Sequence, residues 1–170
     1  MRRSSLTGDR CQLLQPNAHS ATGLNRTVAA TPENDMTTTD IFVFGSNLLG
    51  IHGAGAAKVA ATRYGAQRGI GSGHTGNAYA IPTKRRPTMN AADILPFDTI
   101  ASYVADFLRY ARLRPDLRFM VTRVGCGLAG FKDAEIAPRF ADASKNVHLP
   151  LAWHTILFGA PVPDRVSFTE

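Results

Sequence analysis

Two glycine-rich segments hold the residues of this chain that are best suited to chemistry. The first glycine segment runs from Gly45 to Ala57, and the second glycine segment runs from Gly125 to Phe131. Each follows a short apolar run typical of a buried parallel strand and leads into a helix-like stretch. A glycine turn between a strand and a helix leaves backbone N–H groups free at the carboxyl edge of a sheet, where the helix dipole favours negative charge. The pair predicts a site in which a diphosphate is held from both sides.

The spacing of these glycines differs from that of two common nucleotide motifs. No Gly-x-Gly-x-x-Gly opens a helix with an acidic residue about 20 positions later, as the dinucleotide fingerprint requires. Neither segment ends in Gly-Lys-Ser/Thr, so a P-loop ATPase is not indicated. Taken alone, each segment is also explained by a tight turn with close helix packing, but the matching contexts of the two favour phosphate binding.

Polar side chains at two strand ends are the candidates for acting on a ligand. Asn47 can donate and accept at once, which suits a ribose hydroxyl; the alternative is a turn residue that bonds its own backbone. Lys84 follows another strand, with Arg85 and Arg86 beside it. Its amine could bind phosphate, or act as a nucleophile if its pKa were depressed. A solvated run of cations is the alternative.

Cys126 and the histidines are weaker candidates. Nothing in the sequence places a base beside Cys126. We therefore favour a structural role for Cys126, as a small side chain that packs between two glycines, over a role as a nucleophile. His52 is the histidine best placed to meet a ligand. The five histidines lack a spacing such as His-x-x-x-His, so neither a metal site nor a cofactor is predicted.

Strands and helices must alternate to position these residues. The apolar runs predict strands at 41–44, 78–82, 119–124, 147–149 and 153–158. Helical periodicity and end signals predict helices at 55–64, 97–113 and 134–143, and Pro138 must lie near the start of the last helix or kink it. Residues 67–77 are predicted to form a glycine-rich loop. The alternation predicts an α/β domain with a mostly parallel sheet.

The composition fits one soluble domain. The chain has 170 residues, of which 44% are hydrophobic and 19% charged, ordinary values for a globular protein. Its net charge of +6 suits an anionic partner as well as solubility. No apolar run approaches the roughly 20 residues of a membrane span, and no signal-peptide core follows Arg2 and Arg3. We therefore expect a cytoplasmic protein without a membrane partner, in which 1–36 is a disordered or loose extension, 37–160 the domain and 161–170 a tail.

The region from 40 to 158 resembles the macrodomain superfamily. Members of that superfamily bind ADP-ribose between a loop of Asn-x-x-x-x-Gly-x-Gly type and a second glycine loop, to which the two glycine segments are similar. The branch that hydrolyses terminal ADP-ribose from acidic side chains is similar in further motifs. These are Gly53-Ala54-Gly55, Tyr64-Gly65, Thr83-Lys84 and Gly125-Cys126-Gly127-Leu128. A phage and bacterial group with Phe-Gly-Ser-Asn at the first loop resembles this chain more closely still.

The chain departs from that branch at two positions. The branch pairs its lysine with an aspartate directly after Gly-Cys-Gly-Leu, where this chain has Ala129. Asp133 lies a little further on, as a substitute carboxylate or as a helix N-cap. Many macrodomains also grip the adenine amine with an acidic residue in the strand before the first loop, and only Asp40 lies nearby here.

The resemblance implies a three-layer α/β/α macrodomain-like sandwich that binds ADP-ribose or a derivative. If the protein is an enzyme, the resemblance implies hydrolysis of an ADP-ribosyl bond or of ADP-ribose 1″-phosphate, with Asn47 and Lys84 as catalytic residues. One alternative, which Ala129 favours, is a non-catalytic module that binds or sequesters ADP-ribose-type or cyclic nucleotide signals. Another is a nucleic-acid-binding module that uses residues 84–86 and 109–123. The expected ligand contacts are Gly45, Ser46, Asn47, His52, Gly53, Ala54, Gly55, Ala56, Thr83, Gly125, Cys126, Gly127, Leu128, Ala129, Gly130 and Phe131.

Overall fold

Five strands form one sheet in the computed structural model, which describes residues 39–159. The predicted extension at 1–36 and the tail at 161–170 lie outside the described residues. Across the sheet the order is β2-β3-β1-β4-β5, and only the β2–β3 pair is antiparallel. The strands are β1 (Thr39–Asn47), β2 (Gly73–Thr75), β3 (Ala78–Lys84), β4 (Leu117–Val121) and β5 (Val147–His148). The predicted α/β class with a mixed, mostly parallel sheet is confirmed.

The central strand β1 is apolar on both faces. Ile41 and Val43 face one side of the sheet and Phe44 faces the other, because successive side chains of a strand alternate. All three are essentially inaccessible to solvent. At the end of β1, Asn47 lies opposite Lys84 at the end of β3. The two predicted catalytic residues therefore come from neighbouring strand ends.

Helices cover both faces of the sheet and give three layers. Helix α1 (Gly55–Arg63) packs Ala57 and Ala60 against the Phe44 face. Helices α2 (Phe97–Leu113), α3 (Asp133–Ile136) and α4 (Leu151–Phe158) bury apolar side chains in the core on the Ile41 face. Two separate cores on opposite faces agree with the predicted sandwich.

Helix α2 has the predicted bounds. Ile100, Val104, Phe107, Leu108 and Ala111 recur at helical spacing and are all buried. At this spacing the apolar side chains share one face of the helix, and that face lies on the sheet. The same pattern in the sequence, together with Pro115 as an end signal, predicts the helix with these bounds.

Three other predictions are corrected by the structure. Residues 153–158 are not a strand but belong to α4, which begins after Pro150 and ends at Gly159 in the left-handed conformation. The predicted helix at 134–143 is divided into α3 and a 3-10 turn, Ala137–Phe140, because Pro138 lacks the N–H that an α-helix requires. The loop at 67–77 contains the short strand β2.

Candidate ligand site at the carboxyl edge of the sheet

Both glycine segments leave the sheet at the same edge. Strands β1, β3 and β4 are parallel, so their carboxyl ends lie side by side. A Cβ atom built on Gly45 would lie 3.5 Å from the backbone nitrogen of Gly125 and 3.7 Å from Oγ1 of Thr83. The fold therefore brings together the two segments and the end of β3, as the sequence predicts.

Asn47 holds the first glycine segment in shape. Its Nδ2 donates to the carbonyl oxygen of Ile51 at 2.7 Å, and its Oδ1 accepts from the Ile51 backbone N–H at 3.2 Å. The residue is only 5% exposed. The Asn47 amide thus makes the local turn contacts that were the alternative to a ligand role; one amide hydrogen and one lone pair remain outside these two bonds.

The start of α1 presents free backbone donors. Gly53, Ala54 and Gly55 are exposed, and no side chain among the described residues caps the helix. The N–H groups of the first turn of a helix have no partner within the helix. Together with the helix dipole, they form a surface that favours an anion.

Gly53 and Gly127 are glycines that the fold itself does not require. Neither has a left-handed backbone, and a Cβ atom on either would meet no atom within 4 Å. Gly71 is the opposite case, because its Cβ atom would lie 2.1 Å from the carbonyl oxygen of Asn47. An open glycine on each segment matches a surface that a ligand must approach closely.

The second glycine segment uses part of its backbone for its own turn. The N–H groups of Cys126, Gly130 and Phe131 donate to carbonyl oxygens within or next to the segment. Gly127 and Leu128 are exposed, and their N–H groups have no hydrogen-bond partner among the described residues. Fewer backbone N–H groups of this segment are therefore open to a ligand than the sequence indicates.

Ser46 and Thr83 are buried between the strand ends. The hydroxyl of Thr83 donates to the Ser46 carbonyl oxygen at 3.3 Å, and the hydroxyl of Ser46 donates to the Asn47 carbonyl oxygen at the same distance. Each residue is 5% exposed. The Thr83 hydroxyl therefore connects the ends of β3 and β1, whereas the Ser46 hydroxyl bonds within β1. Ala129 is similarly buried.

Lys84 is a buried cation beside a buried carboxylate. It is 6% exposed, and its Nζ donates to the carbonyl oxygen of Thr88 at 2.7 Å. The hydroxyl of Thr88 donates in turn to Asp93, which also accepts from Nε of Arg86 at 2.9 Å. These two hydrogen bonds, with the nearby charges of Arg86 and Lys84, hold the pKa of Asp93 below its usual value. No sequence pattern marks Asp93, because its partners meet it only when residues 84–94 fold back on themselves.

The Cys126 thiol is protonated at neutral pH. Burial, followed by the neighbouring Asp133 carboxylate, raises its pKa to about 12, and the thiol donates to the Val124 carbonyl oxygen at 3.7 Å. A thiol attacks as the thiolate, so this environment agrees with the interpretation of Cys126 as a small residue chosen for fit.

The two carboxylates considered at the sequence level are both engaged elsewhere. Asp133 is the first residue of α3, whose N-cap is Lys132, so the N-cap expectation for Asp133 is wrong. Hydrogen bonding to Arg123 is the main cause that lowers the pKa of Asp133 to about 2. Asp40 lies near the amino end of β1, away from the site, and both of its oxygens contact the guanidinium of Arg118.

One cleft adjoins the first glycine segment, whereas a second cleft is lined by Phe97 and by residues of α3 and the turn after it, with none from the second glycine segment. His52 and Arg68 line a cleft of about 240 Å³ beside the first segment. The Nε2 atom of His52 lies 3.2 Å from the carbonyl oxygen of Gln67, and its Nδ1 is buried without a partner among the described residues. Beside the second segment, the ring of Phe131 lies 5.9 Å from that of Phe97. Phe97 borders the other cleft, about 360 Å³ in volume. Sequence reasoning singled out His52 but missed Arg68 and Phe97, which no motif marks.

No three or more His, Cys, Asp or Glu side chains in residues 39–159 are grouped so that they could hold a metal ion. No helix in this range is long and apolar enough to cross a membrane.

No protein-family model matches this chain, and no curated protein or solved structure is significantly similar to it. The macrodomain resemblance therefore rests on the motifs of the two glycine segments and of Thr83-Lys84.

Proposed function

We propose that this protein binds ADP-ribose or a close derivative. The diphosphate lies between the backbone N–H groups of residues 53–56 and those of Gly127 and Leu128. The observation that carries the proposal is the pair of exposed glycines, Gly53 and Gly127, which neither backbone conformation nor packing requires. Both lie on segments that leave the same edge of the sheet.

The chemistry of this edge favours a diphosphate over a neutral ligand. The N-terminus of α1 supplies donors and a positive dipole end. The Lys84 side chain is buried at the end of the neighbouring strand, where its Nζ donates to the Thr88 carbonyl oxygen close to Asp93. The geometry supports a diphosphate, and the resemblance to macrodomains supplies the two nucleoside-like ends of ADP-ribose.

Binding without catalysis is the form of this function that the side chains support best. Asp93 and Asp133 are hydrogen-bonded carboxylates whose pKa values are lowered, so neither is set up to donate a proton near neutral pH. The Lys84 amine donates to the Thr88 carbonyl oxygen, and Ala129 cannot move a proton. Hydrolysis of an ADP-ribosyl bond is the second candidate, favoured by the pairing of Lys84 with Asn47 across neighbouring strand ends.

Nucleic-acid binding is a weaker candidate because the basic side chains are neutralised locally. Five of the seven arginines in residues 84–86 and 109–123 form ion pairs with aspartates within the described part of the chain; Arg85 and Arg112 are the other two. The ion pairs are Arg86–Asp93, Arg109–Asp106, Arg114–Asp116, Arg118–Asp40 and Arg123–Asp133.

A thermal-shift titration with ADP-ribose tests the proposal. A ligand that binds only the folded state raises the melting temperature as its concentration increases. We expect such a rise for the wild type and its loss in Gly53→Val, which fills the open face of the first glycine segment. No shift in the wild type up to millimolar ADP-ribose would contradict the proposal. Incubation with an ADP-ribosylated protein distinguishes binding without catalysis from hydrolysis, because only an enzyme releases product.

A further inference from the structure

Asp133 is the meeting point of three segments of the chain. Its Oδ1 accepts from Nε of Arg123 at 2.9 Å and from Nε1 of Trp153 at 2.6 Å, while its Oδ2 accepts from the second nitrogen of the Arg123 fork. The second glycine segment begins two residues after Arg123. The Cys126 backbone N–H donates to the Arg123 carbonyl oxygen at 3.0 Å, and the Cys126 thiol donates to the Val124 carbonyl oxygen at 3.7 Å. Arg123 lies just after β4, Cys126 in the second glycine segment and Trp153 in α4. Asp133 therefore connects the strand exit to the last described helix and reaches the segment through Arg123.

The contacts of Asp133 leave little capacity for a ligand. A carboxylate offers about four acceptor positions, and the Arg123 fork and the indole N–H occupy three of them. Its side chain is 20% exposed. Charge-assisted hydrogen bonds of this kind are stronger than neutral ones. Their combined effect is to fix Arg123, whose carbonyl oxygen accepts from the Cys126 backbone N–H of the second glycine segment.

The packing around the second glycine segment has the same consequence. Gly125 has a left-handed backbone, and a Cβ atom on it would contact Ile136 of α3 at 3.4 Å and Phe131 at 3.5 Å. The segment is thus pressed against the helix that Asp133 begins. Gly127 and Leu128, which are exposed, lie two and three residues after this packed glycine, Gly125.

We propose that Asp133 is a positioning residue, which sets the second glycine segment in its ligand-binding shape and connects that segment to α4 through Trp153. The ligand part of this inference rests on the proposed function. The part concerning the shape of the segment does not, because it applies to the protein without ligand.

Trp153 makes the connection observable. It is the single tryptophan of the chain, it is fully buried, and its indole N–H is on Asp133. A ligand that tightens the second glycine segment changes the surroundings of the Asp133 carboxylate. The emission of Trp153 then reports on binding although Trp153 does not contact the ligand.

The test compares Asp133→Asn with Asp116→Asn in the full-length chain. Asp116 has the same kind of forked pair with Arg114 on another part of the surface, so the control makes the same charge change without touching the second glycine segment. Backbone hydrogen exchange is measured without ligand. We expect the amides of Cys126, Gly130 and Phe131 to exchange roughly tenfold faster in Asp133→Asn, as for loss of one charge-assisted hydrogen bond, and to be unchanged in Asp116→Asn.

Ligand binding is then followed through Trp153 fluorescence with ADP-ribose as the probe. We expect an emission change in the wild type and in Asp116→Asn, and affinity lower by about tenfold in Asp133→Asn. Unchanged exchange of the three amides in Asp133→Asn would overturn the positioning role. Faster exchange in Asp133→Asn, with no ADP-ribose binding by the wild type, would uphold the positioning role and reject the proposed function. If Asp133→Asn does not fold, Trp153→Phe removes one of the same hydrogen bonds, and the same three amides decide the outcome.

Discussion

Replacing Gly127 with valine separates the requirements of the ligand from those of the fold. Gly127 is exposed, its backbone is not left-handed, and a Cβ atom there meets nothing within 4 Å. A surface change of this kind alters the free energy of unfolding by no more than about 0.5 kcal/mol. The branched side chain would instead occupy the space through which a phosphate reaches the N–H groups of Gly127 and Leu128.

The expected loss of binding follows from those two donors. A hydrogen bond to a charged group contributes about 1.5 to 3 kcal/mol, so losing both costs about 3 kcal/mol or more. That corresponds to an affinity for ADP-ribose at least roughly 100-fold lower. Calorimetric titration measures the affinity, and urea unfolding measures the stability of the same sample.

Two control variants calibrate this experiment. Ala105→Val adds an exposed valine on α2 and should change neither binding nor stability appreciably. Gly71→Ala should destabilise the protein by about 2 kcal/mol or more, because its Cβ atom would overlap the carbonyl oxygen of Asn47. If Gly127→Val bound ADP-ribose as tightly as the wild type, the second glycine segment would not belong to the site. If it unfolded like Gly71→Ala, the structural reasoning would be wrong.

Further predictions concern side chains and the chain start. Lys84→Ala should weaken ADP-ribose binding by on the order of 1 kcal/mol. Borohydride reduction of the wild type should trap no lysine–ribose adduct. If an adduct is trapped and Lys84→Ala abolishes hydrolysis, Lys84 is the nucleophile. In a Cys11→Ser background, Cys126 should react with iodoacetamide at pH 8 at least roughly 100-fold more slowly than a free cysteine, because its pKa of about 12 leaves little thiolate. Reaction at the rate of a free cysteine would show that the thiol is not buried as described. The pKa of Asp133 is lowered from 3.8 to about 2. Its contribution to the free energy of unfolding, on the order of 1 to 2 kcal/mol, is therefore complete above pH 3.8 and is lost as the pH falls towards 2. Urea unfolding of the wild type and of Asp133→Asn should differ at pH 5 and converge near pH 2, and a difference that does not change with pH would contradict this role of Asp133. A chain that starts at Met36 should fold with the circular dichroism and melting temperature expected of the domain, and its failure to fold while the full chain folds would show that the predicted boundary is wrong.

The sequence was most informative where one local pattern decides the structure. The helical spacing of Ile100, Val104 and Phe107 predicts α2 with its observed ends, because one face of that helix lies on the sheet. The glycine segments predict the carboxyl edge of the sheet as the candidate site. The first begins within the last residues of β1, and the second begins after residues 122–124, which the sequence predicts as strand but which follow the end of β4 at Val121. The sheet aligns these two strand ends with each other.

The sequence was misleading where an apolar run fits two structures. Residues 153–158 read as a strand by composition, whereas the chain forms α4 there. Pro150 before the helix and Gly159 after it are end signals that would have favoured the helix. The three residues of β2 are too short a run to give a periodic signal.

Contacts between distant residues could not be predicted at all. The carboxylate of Asp133 meets Trp153 and Arg123 only after α3 and α4 have packed beside β4. Asp93 is buried because the turn after β3 closes on it, which residue types alone do not indicate. These two carboxylates lie near Lys84 and Cys126, so the sequence predicts the candidate site better than it predicts which side chains there could take part in a reaction.

The most direct measurement is a calorimetric titration of the wild-type protein with ADP-ribose, compared under the same conditions with AMP and with NAD. Our account predicts saturable one-site binding of ADP-ribose, with AMP at least roughly tenfold weaker because it lacks the second phosphate that the second glycine segment would hold. NAD contains the diphosphate but carries nicotinamide on the ribose distal to adenine, so its affinity reports how tightly the site encloses that ribose. Absence of ADP-ribose binding at millimolar concentration, or binding of AMP as tight as that of ADP-ribose, would contradict the two-segment diphosphate site.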